Sequence, residues 1–218
     1  MNSASPTRPE DTPHPSRSTQ KRTAILEAGT TAFLRAGYRG TSMDEIAASA
    51  GVSKQTIYKH FADKRRLFSE IVASTVQEAG DEVYREVLNL ADSGDIEADL
   101  RDLARRELKL VLQPRVLRLR RLVIGEAGRF PELGRAFYDQ GPGRTITALA
   151  TAFERLAARG VLRLNDAQLA AAHFNWLILS IPLNQAMLLG NDEPASPTEL
   201  DRYAETGVRV FLAAYGQQ

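Results

Sequence analysis

Thr41-Ser-Met-Asp-Glu-Ile-Ala-Ala-Ser-Ala-Gly-Val-Ser-Lys-Gln-Thr-Ile-Tyr-Lys-His-Phe61 sets two short helices around a glycine turn. Ser42 stands three residues before Glu45, so its hydroxyl can accept from the free amide of the third helical residue while the carboxylate reaches back to the amide of Ser42. The helix that starts there carries Met43, Ile46, Ala47 and Ala50 on one side. It stops at Gly51, which tolerates the left-handed conformation that ends helices. Ser53 caps a second helix. Ile57 and Phe61 are four residues apart on it and share a face with Val52, which pins them against the first helix. Lys54, Gln55, Thr56, Tyr58 and Lys59 are left outward. This is the layout of a helix-turn-helix that enters a DNA groove.

The outward residues suit that task. Gln55 can pair with adenine edges, Thr56 offers a hydroxyl and a methyl, and the lysines and Tyr58 can reach phosphate oxygens. A solvated polar face is the plain alternative, and it is outweighed because caps, turn glycine and inward apolar pair all agree at one spacing.

Thr41-Ser42, Ile46-Ala47, Gly51-Val52-Ser53, Ile57-Tyr58 and Phe61 together resemble the N-terminal DNA-binding domain of TetR/AcrR-type transcriptional regulators. Asp63-Lys-Arg-Arg-Leu-Phe68 is similar to the start of that family's fourth helix. The likeness is specific from about Thr19 to Val72, roughly a quarter of the chain, and beyond that it concerns architecture. It implies an all-α fold, in which an N-terminal three-helix helix-turn-helix domain is joined by a long helix to a larger helical domain for ligand binding and dimerisation. It also implies a homodimer through the two C-terminal helices, a near-palindromic double-stranded operator, and repression relieved by a small-molecule effector. An activator and a ligand-independent DNA-binding protein are the alternatives. Thr41 and Ser42, with the free amides of their helix start, are expected to hold a phosphate. By the same resemblance Tyr58, His60 and Lys64 add phosphate contacts beside Ser53, Lys54 and Lys59, and Gln55 and Thr56 meet base edges.

Charge placement agrees. Net charge over the 218 residues is only +1. From Arg17 to Arg66, however, ten basic residues face four acidic ones, a net of +6, whereas the chain from Leu67 onward carries −4. Such asymmetry is an electrostatic footprint for phosphate. Cysteine is absent, which removes disulfides, thiolate metal sites and thiol nucleophiles. Residues 1 to 17, with Pro6, Pro9, Pro13 and Pro15 among Ser and Thr, have no apolar run that could serve a signal peptide. They read as a disordered leader of a cytoplasmic protein. Arg17, Lys21 and Arg22 either lie along a phosphate backbone or simply keep the leader soluble.

The expected DNA-binding domain spans 18 to 78 and the body 79 to 218. The pattern predicts a first helix from about Thr19 to Ala36, buried through Ile25, Ala28, Ala32, Phe33 and Ala36 and stopped by Gly37. Asp63 caps a long helix toward Leu90. A helix through Leu100, Leu103, Ala104, Leu108 and Val111 is interrupted by Pro114. The arginine-rich stretch from Arg115 to Ile124 follows, its arginines read as a solvated or interface face. Gly141-Pro142-Gly143 precedes a helix buried through Ile146, Leu149, Ala150, Phe153 and Leu156. Asn165, three residues before Gln168, is read as the cap of an apolar helix reaching Leu189; Pro182 should kink it, and its polar interruptions argue against a membrane span. Ser196, Pro197 and Glu199 start the last helix with a capping box. Small residues at Ala204 and Gly207 would let a further helix approach, for which core packing and a dimer contact are the two readings.

His14, His60 and His173 have no metal-ligand spacing, and neither a serine triad nor a glycine-rich phosphate loop is present, so no enzyme, metal site or cofactor is expected. His173, Asn175, Trp176 and Asn184 on the apolar helix are candidates to orient an effector, with satisfied core polar groups as the competing reading.

Overall fold

The computed structural model describes residues 16–190 and 196–217. Among them are ten α-helices and no strand, apart from an isolated bridge between Leu162 and Gly216. The helices are α1 (Arg17–Gly40), α2 (Met43–Ser49), α3 (Lys54–His60), α4 (Lys64–Asn89), α5 (Ile96–Val111), α6 (Pro114–Ala127), α7 (Pro131–Tyr138), α8 (Arg144–Ala158), α9 (Ala167–Leu189) and α10 (Pro197–Tyr215). The fold is all-α.

Caps set most boundaries. Ser42, Ser53, Asp63, Asp95 and Ser196 each accept from the amide three residues on. Ser196 and Glu199 close the full capping box, with Pro197 at the first helical position. At Ser42 the box stays half-made, because Glu45 turns instead to pair with Arg35 of α1. The cap of α9 is Asp166 rather than the expected Asn165. A carboxylate suits the positive end of a helix better than an amide does.

Helix α1 begins before the expected Thr19, since Ser16 accepts from the Thr19 amide and Arg17 is already helical. The expected leader therefore loses Arg17 to α1, and its residues 1–15 lie outside the described residues. Helical geometry breaks at Gly37 (φ 73°, ψ 173°), as the stop signal requires. Ala36 is exposed, contrary to the expected stripe. The break carries Tyr38 inward instead, 5.8 Å from Phe33 and 5.2 Å from Phe68 between ring centres. Helix α7, which the pattern did not announce, starts at Pro131 and buries Leu133 and Phe137. Helix α9 continues through Pro182 to Leu189, and among the described residues no helix is long and apolar enough to cross a membrane.

Two apolar cores form. The body core gathers Leu100, Leu108, Leu149, Phe153, Phe174 and Phe211. The Phe211 ring sits 5.1 Å from Phe153 and 5.2 Å from Phe174, distances at which aromatic pairs attract beyond simple area burial. Gly207 is part of this packing: a Cβ there would fall 2.8 Å from Ile178 Cγ1, so the close approach it permits is between α10 and α9 of the same chain. The second core holds Ile25, Phe33, Ile46, Ile57, Phe61, Phe68 and Ile71 of the N-terminal helices. Leu119 and Val123 of α6 and Leu133 and Phe137 of α7 are buried in it as well. The N-terminal helices thus share their core with the body.

Candidate nucleic-acid interface and buried cavity

Helices α2 and α3 are pinned from beneath by Ile46, Ile57 and Phe61, each fully buried. Gly51 (φ 64°) makes the turn between them. What remains outward on α3 is Lys54, Gln55, Tyr58 and Lys59, with Thr56 and His60 half-buried at its edges. Tyr58 is 43% exposed, enough to reach a phosphate without leaving its helix. Lys54 leans back to Asp44 at 3.0 Å. Its pKa is raised by that contact. Ser53 Oγ accepts from the Thr56 amide and lies 2.8 Å from the Thr56 hydroxyl, so both are tied into the cap.

Two of the expected phosphate ligands face the other way. Thr41 is buried, and its hydroxyl donates to the Ala32 and Gly37 carbonyls at 3.1 and 2.9 Å, stitching the broken end of α1. Lys64 donates to the Tyr38 and Thr41 carbonyls, both at 2.8 Å, and its ammonium lies 4.6 Å from the Tyr38 ring centre. These side chains hold the interface together from behind. Ser42 caps α2, and its hydroxyl accepts from the Glu45 amide at 3.1 Å.

A cavity of about 50 Å³ lies in the body between α4, α5, α6, α7, α8 and α9. Its walls are apolar and aromatic, including Val83, Tyr84, Val116, Phe137, Trp176 and Leu179. The polar side chains that line it include Glu107 of α5, Arg120 of α6 and Asn175 of α9. Glu107 Oε2, Arg120 Nε and both amide atoms of Asn175 are buried without a hydrogen-bond partner. Burial pushes the Glu107 carboxyl up to about 8 and the Arg120 guanidinium below its ordinary value. Arg120 rests over the Phe137 ring, 4.9 Å from its centre. At the rim, Arg144 is bonded to Asp81 at 2.7 Å and lies 4.2 Å from the Tyr84 ring centre.

Of the four residues expected to orient an effector, Asn175 and Trp176 line this cavity and His173 and Asn184 do not. His173 Nδ1 is 2.6 Å from the Tyr215 hydroxyl on an exposed surface. Asn184 donates to the Ser180 carbonyl one turn back, also exposed. Their helical phase explains the split, since positions 173 and 184 fall on the outward side of α9 and 175 on the inward side. Arg120 likewise departs from the expected outward arginine face. Glu107 and Arg120 left a trace in the sequence. Glu107 sits three and four residues after Ala104 and Leu103, an inward phase on α5. Arg120 holds the same relation to Leu117 and Val116 on α6.

Comparison with known proteins follows the same division. Residues 98–217, more than half of the chain, match the model of the AefR-like transcriptional repressor C-terminal domain. The chain belongs to the TetR family. Residues 25–71 match the family model described as bacterial regulatory proteins, tetR family. A TetR-family transcriptional regulator of Mesorhizobium loti is 42% identical with a TM-score of 0.87, covering 93% of this chain and 100% of that one. The flavonoid-responsive regulator FrrA is 33% identical with a TM-score of 0.75, covering 91% and 98% of the two chains. The HTH-type transcriptional regulator YhgD of Bacillus subtilis is 43% identical over 61 residues, which span 28% of this chain and about a third (32%) of that relative. As a TetR-family protein the chain is a DNA-binding transcriptional regulator, with a body like that of AefR-like repressors.

Proposed function

We propose that the protein is a homodimeric repressor that places one α3 per subunit in successive major grooves of a near-palindromic operator, and that a small molecule in the body cavity releases it. The observation that carries this reading is the outward face of α3, where Gln55 and Lys59 stand exposed above a fully buried Ile57 and Phe61. Gln55 and Thr56 meet base edges; Tyr58, Lys59, His60 and the cap at Ser42 meet phosphates. Lys54 joins them by exchanging Asp44 for phosphate.

The two copies meet through α9 and α10. Leu169, Leu177, Ile181 and Leu188 form an exposed apolar row at helical spacing on α9, with Val210 on α10, and His173 and Asn184 lie within the α9 row. The cavity at about 50 Å³ has room for a few waters, well below what a ligand of drug size fills. An effector therefore has to part its walls. Phe137 is both a wall of that cavity and a member of the core beneath the DNA-binding helices, so parting the walls shifts the seat of α1 and α4. Release follows if the effector binds the parted state more tightly than the closed one. FrrA is a flavonoid-responsive regulator, and the aromatic lining here suits an effector of aromatic character.

The test is an anisotropy titration on the intergenic DNA beside the protein's own gene and on single-base variants of the site found there. Gln55→Ala should relax discrimination at one or two base pairs by about 1–3 kcal/mol. An unchanged preference across the variants would refute the assignment of α3 as the reading helix.

A further inference from the structure

The effector itself can be narrowed by the charges around the cavity. The carboxyl and guanidinium groups that line it belong to Glu107, Arg120 and Arg144. The charge of Arg144 is balanced by Asp81 at 2.7 Å. Glu107 is 3% exposed and lies in surroundings that keep its carboxyl protonated at neutral pH, so it offers a hydrogen-bond donor and no competing negative charge. Arg120 has a buried Nε with no partner, and the neighbour that its guanidinium faces is the π face of Phe137. A guanidinium holds its proton under all ordinary conditions. Asn175 is wholly buried with both amide atoms unpartnered, which in a folded protein marks a place where something else supplies the partners. The cavity is thus apolar, aromatic, donor-rich and net positive.

Building on the proposed effector site, we propose that this cavity takes a small, otherwise apolar monoanion, a carboxylate or an acidic phenol, whose charged oxygen pairs with Arg120 while Asn175 and Glu107 donate to the oxygens and the hydrocarbon part lies against Tyr84, Phe137 and Trp176. A cation would meet Arg120 with no anion to receive it, and a pure hydrocarbon would leave the polar groups unpartnered. Pairing with the ligand draws Arg120 off the Phe137 ring, which is the ring that the cavity shares with the core under the DNA-binding helices.

Three probes of one skeleton separate the possibilities: 4-phenylbutyrate, 4-phenylbutan-1-ol and 4-phenylbutylamine, each titrated calorimetrically into the full-length protein. Trp176, the single tryptophan of the chain, lies in the cavity wall and reports occupancy through its emission. The acid should bind at least tenfold more tightly than the alcohol or the amine and shift Trp176 emission. Arg120→Gln should erase that preference, and Arg120→Lys, which keeps the charge, should retain most of it; parental helix content and a single cooperative melt show that both variants are folded. A preference for the amine, equal affinity for all three, no binding of any of them, or a preference that survives Arg120→Gln would each overturn the proposal. Operator release is measured in parallel. Arg120-dependent binding of the acid without release would sink the induction reading and leave the anion site standing. Release by the amine would do the reverse.

Discussion

At the DNA-binding end, polar side chains beneath the surface have partners: Thr41 bonds two carbonyls of α1, Lys64 bonds two more, and Ser42, Ser53 and Asp63 cap helices. The groups left for DNA are at the surface. The body reverses this. Its surface charges pair extensively, as with Arg105 between Asp102, Asp201 and Glu205, whereas Glu107 Oε2, Arg120 Nε and the Asn175 amide are buried without a hydrogen-bond partner. A reader has to hold one shape, so its internal bonds are complete. In the proposed function the body is a sensor, which has to gain something from its ligand, and buried groups lacking partners are what a ligand can complete.

The sharpest way to break that contrast is Glu107→Gln. The folded protein holds Glu107 protonated up to about pH 8, whereas the unfolded chain loses that proton near the ordinary 4.5. The folded pKa lies above the unfolded one, so the associated stability is complete below about pH 4.5 and is lost as pH rises to about 8. The stability of the variant relative to the parent should therefore grow by up to about 5 kcal/mol across that window, read by urea denaturation at several pH values. Parallel pH profiles would show that Glu107 is not buried alone.

Next in size is Phe61→Ala, which should cost about 3–5 kcal/mol through the cavity left among the reader's fully buried side chains. Because α6 and α7 share that core, helix content and Trp176 emission should still melt together; two separate transitions would mean that reader and body are independent. Thr41→Val should cost about 1–3 kcal/mol by orphaning two bonds. The salt dependence of operator binding should stay as it was. A fall in that salt dependence with stability intact would return Thr41 to the phosphate face. Lys59→Ala marks the small end: stability should move by less than about 0.5 kcal/mol. Its slope of log affinity against log salt should drop by about 1, as for one phosphate contact removed.

What the sequence revealed depended on how local the cause was. Ser42, Gly51, Ser53 and Asp63 act within a few residues of themselves, so the turn and the caps could be read in one dimension. Lys64 and Thr41 could not, because the carbonyls they bond, those of Tyr38, Ala32 and Gly37, are brought close only by the kink that ends α1. In the body, the inward phase of Glu107 and Arg120 was written in the apolar spacing around them, but the fact that both open into one cavity required α5, α6 and α9 to pack. His173 and Asn184 share with Asn175 only that they are polar residues on an apolar helix, and helical phase separates them. Helix α7 is short and no stripe in the sequence announces it, because its burial depends on partners from α4 and α6.

Phe137 and its neighbours Leu119, Val123 and Leu133 make the DNA-binding end an incomplete module. Anyone building a biosensor by grafting this reader onto a foreign sensing body would be cutting through a shared hydrophobic seam, exposing apolar surface on one side and a gap on the other. A workable graft has to carry these four side chains across with the reader. Conversely, the residues under the seam constrain which foreign bodies can be accepted, so compatibility between halves should follow the identity of these four positions more closely than the similarity of the ligand pockets.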